Sequence, residues 1–82
     1  MPTIEKLWFD SERIWIQTDD LQKFSRPLEA FPTLKEASNE ERMSFKINNL
    51  KDSIRWEQID EDIHISSFFE EQEPNYENEI AL

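Results

Sequence analysis

The sequence predicts a small α+β domain: an antiparallel sheet, made of an N-terminal three-stranded meander plus a short later strand, with two or three short helices. Three observations predict it. Residues 3–25 are rich in β-branched and aromatic side chains and are broken by the acidic turn signals "DSE" and "DD". Leu28, Phe31, Leu34 and Ala37 then recur three apart, a helical spacing. Finally "SIRWEQI" returns to alternation, with Ile54 and Trp56 on one face.

Each element follows from local chemistry. Residues 3–9 and 13–18 are the first two strands; in the second, Ile14 and Ile16 point one way and Trp15 the other. Asp19-Asp20 marks a tight hairpin turn into a third strand at 21–25. Two of these strands are apolar on both sides, so something must pack on each face. Pro27 cannot donate to a ladder and ends the strand region. Pro32 divides the next segment into two helical turns. Ser38 with Glu41 is a capping-box signature, and it predicts a helix with Met43, Ile47 and Leu50 on one face, ended by Asn48-Asn49. "DEDIHISSFF" reads as a turn and a short final helix, with Asp60 or Asp62 as its cap. Residues 1–69 then form one compact domain, and the acidic, proline-containing segment 70–82 is expected to be disordered in isolation.

Composition excludes much chemistry. The 82 residues include no cysteine, which removes disulfides, thiolate metal sites and cysteine nucleophiles. They include no glycine, which removes the usual phosphate-cradling loops. The net charge is −10, from 9 basic and 19 acidic residues, and it is unevenly spread. Residues 1–56 hold all nine bases and ten acids; residues 57–82 hold nine acids and no base. Such a pattern argues against direct nucleic-acid binding, which needs clustered cations. It favours a basic protein partner. The N-terminus has no signal-peptide pattern and no apolar run is long enough to span a membrane, so a soluble cytoplasmic protein is expected.

The acidic triplet Asp60-Glu61-Asp62, just before the single histidine His64, is the densest cluster of candidate residues. Three readings compete. It could hold a hard cation, but successive side chains diverge and a calcium loop needs alternating ligands. It could cap a helix, or pair with Arg42 or Arg55. It could steer a partner. A Ser66–His64 pair lacks a supporting motif, so no catalytic residue, metal or cofactor is expected. Trp56 belongs in the core. Trp8 and Trp15 are either core or an exposed anchor, since tryptophan is enriched at binding hot spots. The candidate partner-binding set is therefore Asp60, Glu61, Asp62, Glu70, Glu71, Glu73, Trp8 and Trp15. The candidate structural set is Trp56, Pro27, Pro32, Ser38, Glu41 and Arg42.

The order of motifs resembles a small bacterial family, domain of unknown function 2442. The resemblance spans about residues 3–69. It rests on Pro27-Leu28, on Phe31, Pro32 and Leu34, on Ala37, Glu41 and Arg42, and on Ile54, Trp56, Ile59, Asp60, Glu61, Asp62 and Ile63. The chain departs from the family where a hairpin Asp-Gly is here Asp19-Asp20, where glycines before the Ile-x-Trp motif are here "NNLKDS", and in a longer acidic tail. The resemblance implies a compact α+β fold, no established activity, and an antitoxin-like role beside another small protein. The expected function is a non-catalytic acidic protein-binding module, the antitoxin-like partner of a basic bacterial protein. The alternative is a nucleic-acid mimic that blocks a nuclease or a DNA-binding protein.

Overall fold

A computed structural model describes residues 2–70, and the fold is α+β. It contains two three-stranded antiparallel sheets. The first orders β1 (Ile4–Phe9), β2 (Arg13–Thr18) and β3 (Lys23–Pro27) as a meander. Helices α1 (Pro32–Glu36) and α2 (Asn39–Met43) follow. The second sheet orders β4 (Lys46–Ile47), β5 (Ser53–Trp56) and β6 (Glu61–His64), and α3 (Ser66–Glu70) comes last.

Alternation places the core. Ile14 and Ile16 of β2 are fully buried, as are Ile54 and Trp56 of β5. They meet Ile4, Leu28, Leu34, Ile63, Ile65 and Phe68 in one cluster shared by both sheets. Opposed residues of neighbouring strands share a face. The register therefore puts Leu7, Ile16 and Phe24 on the core side, and Trp8, Trp15 and Ser25 on the outer side. A bulge at Glu5 lets Ile4 and Leu7, three apart, both face the core. The sheets are tied where the Ile4 amide donates to the Lys51 carbonyl at 2.8 Å.

Several local expectations need correction. The third strand runs Lys23–Pro27, not 21–25, and Pro27 is its last residue. The connection is not a two-residue turn: the Thr18 amide bonds the Gln22 carbonyl at 2.9 Å, and Leu21 takes φ 70°. No helix continues past Met43. Ser44 leaves helical backbone, its hydroxyl turns back to the Glu40 carbonyl at 2.9 Å, and Ile47 pairs with Ile54 in a strand. Met43 and Leu50 are exposed, at 60% and 74%. Glu61–His64 forms a strand rather than a turn, so the short later strand is the centre of a second sheet. Glu70 closes α3; the expectation of a disordered tail otherwise falls outside the described residues.

Helix α2 carries the expected capping box. The Ser38 hydroxyl accepts from the Glu41 amide at 3.1 Å, and the Glu41 carboxylate accepts from the Ser38 amide at 2.9 Å. Pro32 opens α1, where its missing N–H costs nothing. Arg42 locks these elements together. Its guanidinium donates to the Leu34 and Lys35 carbonyls at the end of α1, each at 2.9 Å, and lies over the Phe9 ring. Its own carbonyl accepts from the Trp56 indole at 2.9 Å, which satisfies the one polar atom of that buried side chain.

Candidate functional site

Four places bear on function. The first is the outer face of the first sheet. Trp8 and Trp15 stand opposite each other across β1 and β2, on the side turned from the core. Both are half-buried, and their rings stack with centroids 6.0 Å apart and planes 4° from parallel. Asp10 orients the pair. One carboxylate oxygen accepts from the Glu12 and Arg13 amides at 2.8 and 2.7 Å, closing the β1–β2 turn. The other accepts from the Trp15 indole at 2.8 Å. The indole bond above all, with those two amides, holds the Asp10 carboxyl below the ordinary aspartate range. Register places Lys6, Gln17 and Lys23 in the row on one side of the tryptophans, and Arg13 with Pro27 in the row on the other. Arg13 donates to the Ser25 hydroxyl at 2.8 Å, which explains why Ser25 is buried on an outer face.

The second place is the acidic triplet. Asp60 and Asp62 converge on Arg55, at 2.8 and 2.9 Å. Their carboxylates, Asp60 first, raise the affinity of the guanidinium for its proton. Asp60 takes a left-handed backbone, φ 54°, after a 3-10 turn at Glu57–Ile59. Asp62 stands opposite Arg55 on β6. Neither caps α3, which starts only at Ser66; of the two partners the sequence offered, Arg42 or Arg55, it is Arg55 that pairs, while Arg42 is turned to α1. Glu61 is directed differently, opposite Trp56. Among the described residues, no group of three or more His, Cys, Asp or Glu is placed to hold a metal ion.

The third place surrounds His64. Its Nδ1 accepts from the Ser66 amide at 3.1 Å and lies 3.0 Å from the Ser66 hydroxyl. Its Nε2 lies 3.6 Å from Asp52, whose carboxyl the Asn48 side-chain amide holds below the ordinary range. An Asp–His–Ser order is present, and its contacts also hold the local fold. His64 caps the first amide of α3, while Asp52 is held by Asn48 in the turn before β5. Neither described cavity is lined by any of the three.

The fourth place was not foreseen. A pocket of about 460 Å³ opens where Arg13, Pro27, Leu28, Lys35 and Arg42 converge. Lys35 faces Glu29 across 3.7 Å, and Arg42 is turned to backbone carbonyls. No motif could have revealed it, because its lining comes from four separate segments: residues 11–13, residues 27–29, Lys35 of α1 and Arg42 of α2.

The structure thus separates what the sequence grouped. Trp8 and Trp15 lie on one sheet and Asp60 and Asp62 on the other, each on a face turned from the shared core. Glu71 and Glu73 lie outside the described residues. Among the described residues, no helix is long and apolar enough to cross a membrane.

Comparison with known proteins is consistent with this geometry. No curated protein matches the chain. A solved structure from Rhodospirillum rubrum ATCC 11170, described as a protein of unknown function, is similar with a TM-score of 0.70 and 21% identity, covering 84% of this chain and 86% of that one. That likeness establishes the fold. A family model described as protein of unknown function (DUF2442) matches residues 4–73, spanning both sheets, the Trp8–Trp15 pair and the Arg55 clamp. The chain belongs to that family.

Proposed function

We propose that the chain is a non-catalytic protein-binding module, the antitoxin-like partner of a basic protein, and that it binds through the outer face of its first sheet. One observation carries this reading: Trp8 and Trp15 are stacked outside a core that is filled without them. Large aromatics half-exposed on a rigid sheet lose little conformational entropy on binding and supply the typical anchor of an interface. The net charge of −10 draws a basic partner in, raising the association rate more than the affinity. Within that field, Asp60 and Asp62 are partly neutralised by Arg55, whereas Glu57 stands exposed beside them.

The test is capture from native lysate with the tagged full chain and with a Trp8→Ser/Trp15→Ser variant, then reconstitution with the purified partner. The reading expects one basic protein, retained by the native chain, lost by the variant, and associating more slowly as salt is added. Equal retention by both chains would sink it. Release of the captured protein by duplex DNA or RNA would turn the reading to a nucleic-acid mimic.

A further inference from the structure

We infer that the outer edge of β1 pairs with the same strand of a second copy, antiparallel about Trp8, joining two first sheets into one. The first sheet runs β1-β2-β3, so β1 is an edge strand, and among the described residues no strand lies beyond it. Alternation shows which groups that edge presents. The Asp10 amide donates to the Arg13 carbonyl, so Asp10 turns its backbone toward β2. Trp8 and Lys6 do the same, two and four residues back, and Leu7 and Phe9 turn their N–H and C=O groups outward. Among the described residues, the backbone bond made to this edge from outside the sheet is that of the Ile4 amide to the Lys51 carbonyl. The bulge at Glu5 also interrupts the strand there, so the open stretch begins at Lys6.

Leu7, Trp8 and Phe9 are consecutive large apolar residues on that stretch, each half-buried. An open edge of this kind is a template for another strand. A second β1 matches it in one register. Setting Trp8 against Trp8 puts Leu7 opposite Phe9 of the second copy and Lys6 opposite its Asp10, and the two-fold axis repeats both pairs. Each Leu7–Phe9 pair exchanges two backbone hydrogen bonds, which satisfies the outward groups of both residues. Their side chains meet on the core side, where both already pack. On the outer side Lys6 is exposed, and the Asp10 carboxylate lies there too, held by the Trp15 indole. That carboxylate accepts from the indole and from the Glu12 and Arg13 amides. A carboxylate has roughly four acceptor sites, so one remains for an ammonium group. Opposite charges therefore meet at both ends of the pairing. Sliding the copies by two residues, the next register in which the outward groups face one another, sets Lys6 or Asp10 against Trp8 instead.

The outer indoles then form one row across two copies: Trp15 and Trp8 of the first, Trp8 and Trp15 of the second. This goes beyond the proposed function. It doubles the aromatic row offered to a partner, but the pairing itself needs none.

The test uses the full chain alone. In sedimentation equilibrium the native chain should pass reversibly from monomer to twice that mass as concentration rises; one strand pair is a small interface, so the association is weak. Lys6→Glu should weaken it about tenfold by setting an acid against Asp10 at both ends. The chain has no cysteine, so one introduced thiol reports one contact. Trp8→Cys places two thiols in a directly opposed pair whose Cα atoms are about 4.5 Å apart, within disulfide reach. Mild oxidation should link it into a covalent dimer and leave Gln17→Cys, on the central strand of the same face, monomeric. A native chain that stays monomeric at every concentration would overturn the inference. So would a Gln17→Cys dimer formed as readily as the Trp8→Cys one, which would assign the contact to stacked faces. Association undiminished in Lys6→Glu would overturn the register. No partner enters these measurements, so their failure leaves the binding-module reading standing, and failure of the capture experiment leaves the dimer untouched.

Discussion

The outer faces of the two sheets carry charge in opposite ways. On the second sheet two charged groups are neutralised or held locally: Arg55 is clamped by Asp60 and Asp62, and His64 is held between Asp52 and Ser66. On the first sheet Lys6 and Lys23 are exposed in the row beside two stacked indoles. The difference teaches how to weigh a cluster of charges. Groups that neutralise one another are more simply explained by the fold, whereas an aromatic pair outside a complete core is a candidate contact surface. Two members of the acidic triplet that dominates the sequence, Asp60 and Asp62, are thus taken up by Arg55. The two tryptophans become the stronger candidate for contact.

The comparison breaks first at Trp56 against Trp15. Trp56 is fully buried and its indole is bonded to Arg42. Trp56→Ala should cost about 3–5 kcal/mol, much of the stability of so small a domain. Trp15→Ser should cost about 1 kcal/mol, the scale of a cross-strand pair. Urea unfolding followed by circular dichroism measures both; equal losses would place Trp15 in the core. Next, Ser38→Ala should cost about 1 kcal/mol by removing the hydroxyl of the capping box. The same method would show no change if the box were idle.

Two smaller effects sharpen the account. Lys51 and Leu21 hold left-handed backbone, φ 59° and 70°, in a chain with no glycine. Lys51→Gly or Leu21→Gly should stabilise by up to about 1 kcal/mol, relief of Cβ strain exceeding the added freedom of the unfolded chain. A lower unfolding midpoint would show that those side chains contribute more than their strain. The smallest effect is acid dependence on the first sheet. The folded Asp10 carboxyl titrates below its unfolded value, so its contribution is present above the ordinary value of 3.8 and is lost as pH falls through the depressed one. The Trp15 indole signal should move in that acid range, and Asp10→Asn should abolish the movement.

Much of this was legible in the sequence. The alternation in "RIWIQT" set Ile14 and Ile16 on one face and Trp15 on the other, though not which face met the core, and Ser38 with Glu41 marked the start of α2. What was not legible has physical causes. Met43, Ile47 and Leu50 match a helical period by coincidence; Ile47 finds a strand partner in Ile54, and that pairing overrides the pattern. The strand at Glu61–His64 was hidden because its outward positions, Asp62 and His64, look like a turn. The bulge at Glu5 leaves no mark, because its signature is a shift in pairing rather than a residue type. As for the candidate site, the sequence could nominate Trp8 and Trp15, but only register could show that they face each other. It could count the acids, but not show that Arg55 claims two of them.

The most direct test of the central claim is the Trp8→Ser/Trp15→Ser chain, measured for fold and for partner retention in the same preparation. A folded chain, with the circular dichroism of the native protein, that no longer retains the basic partner is the result predicted here. A folded chain that retains the partner undiminished would contradict it.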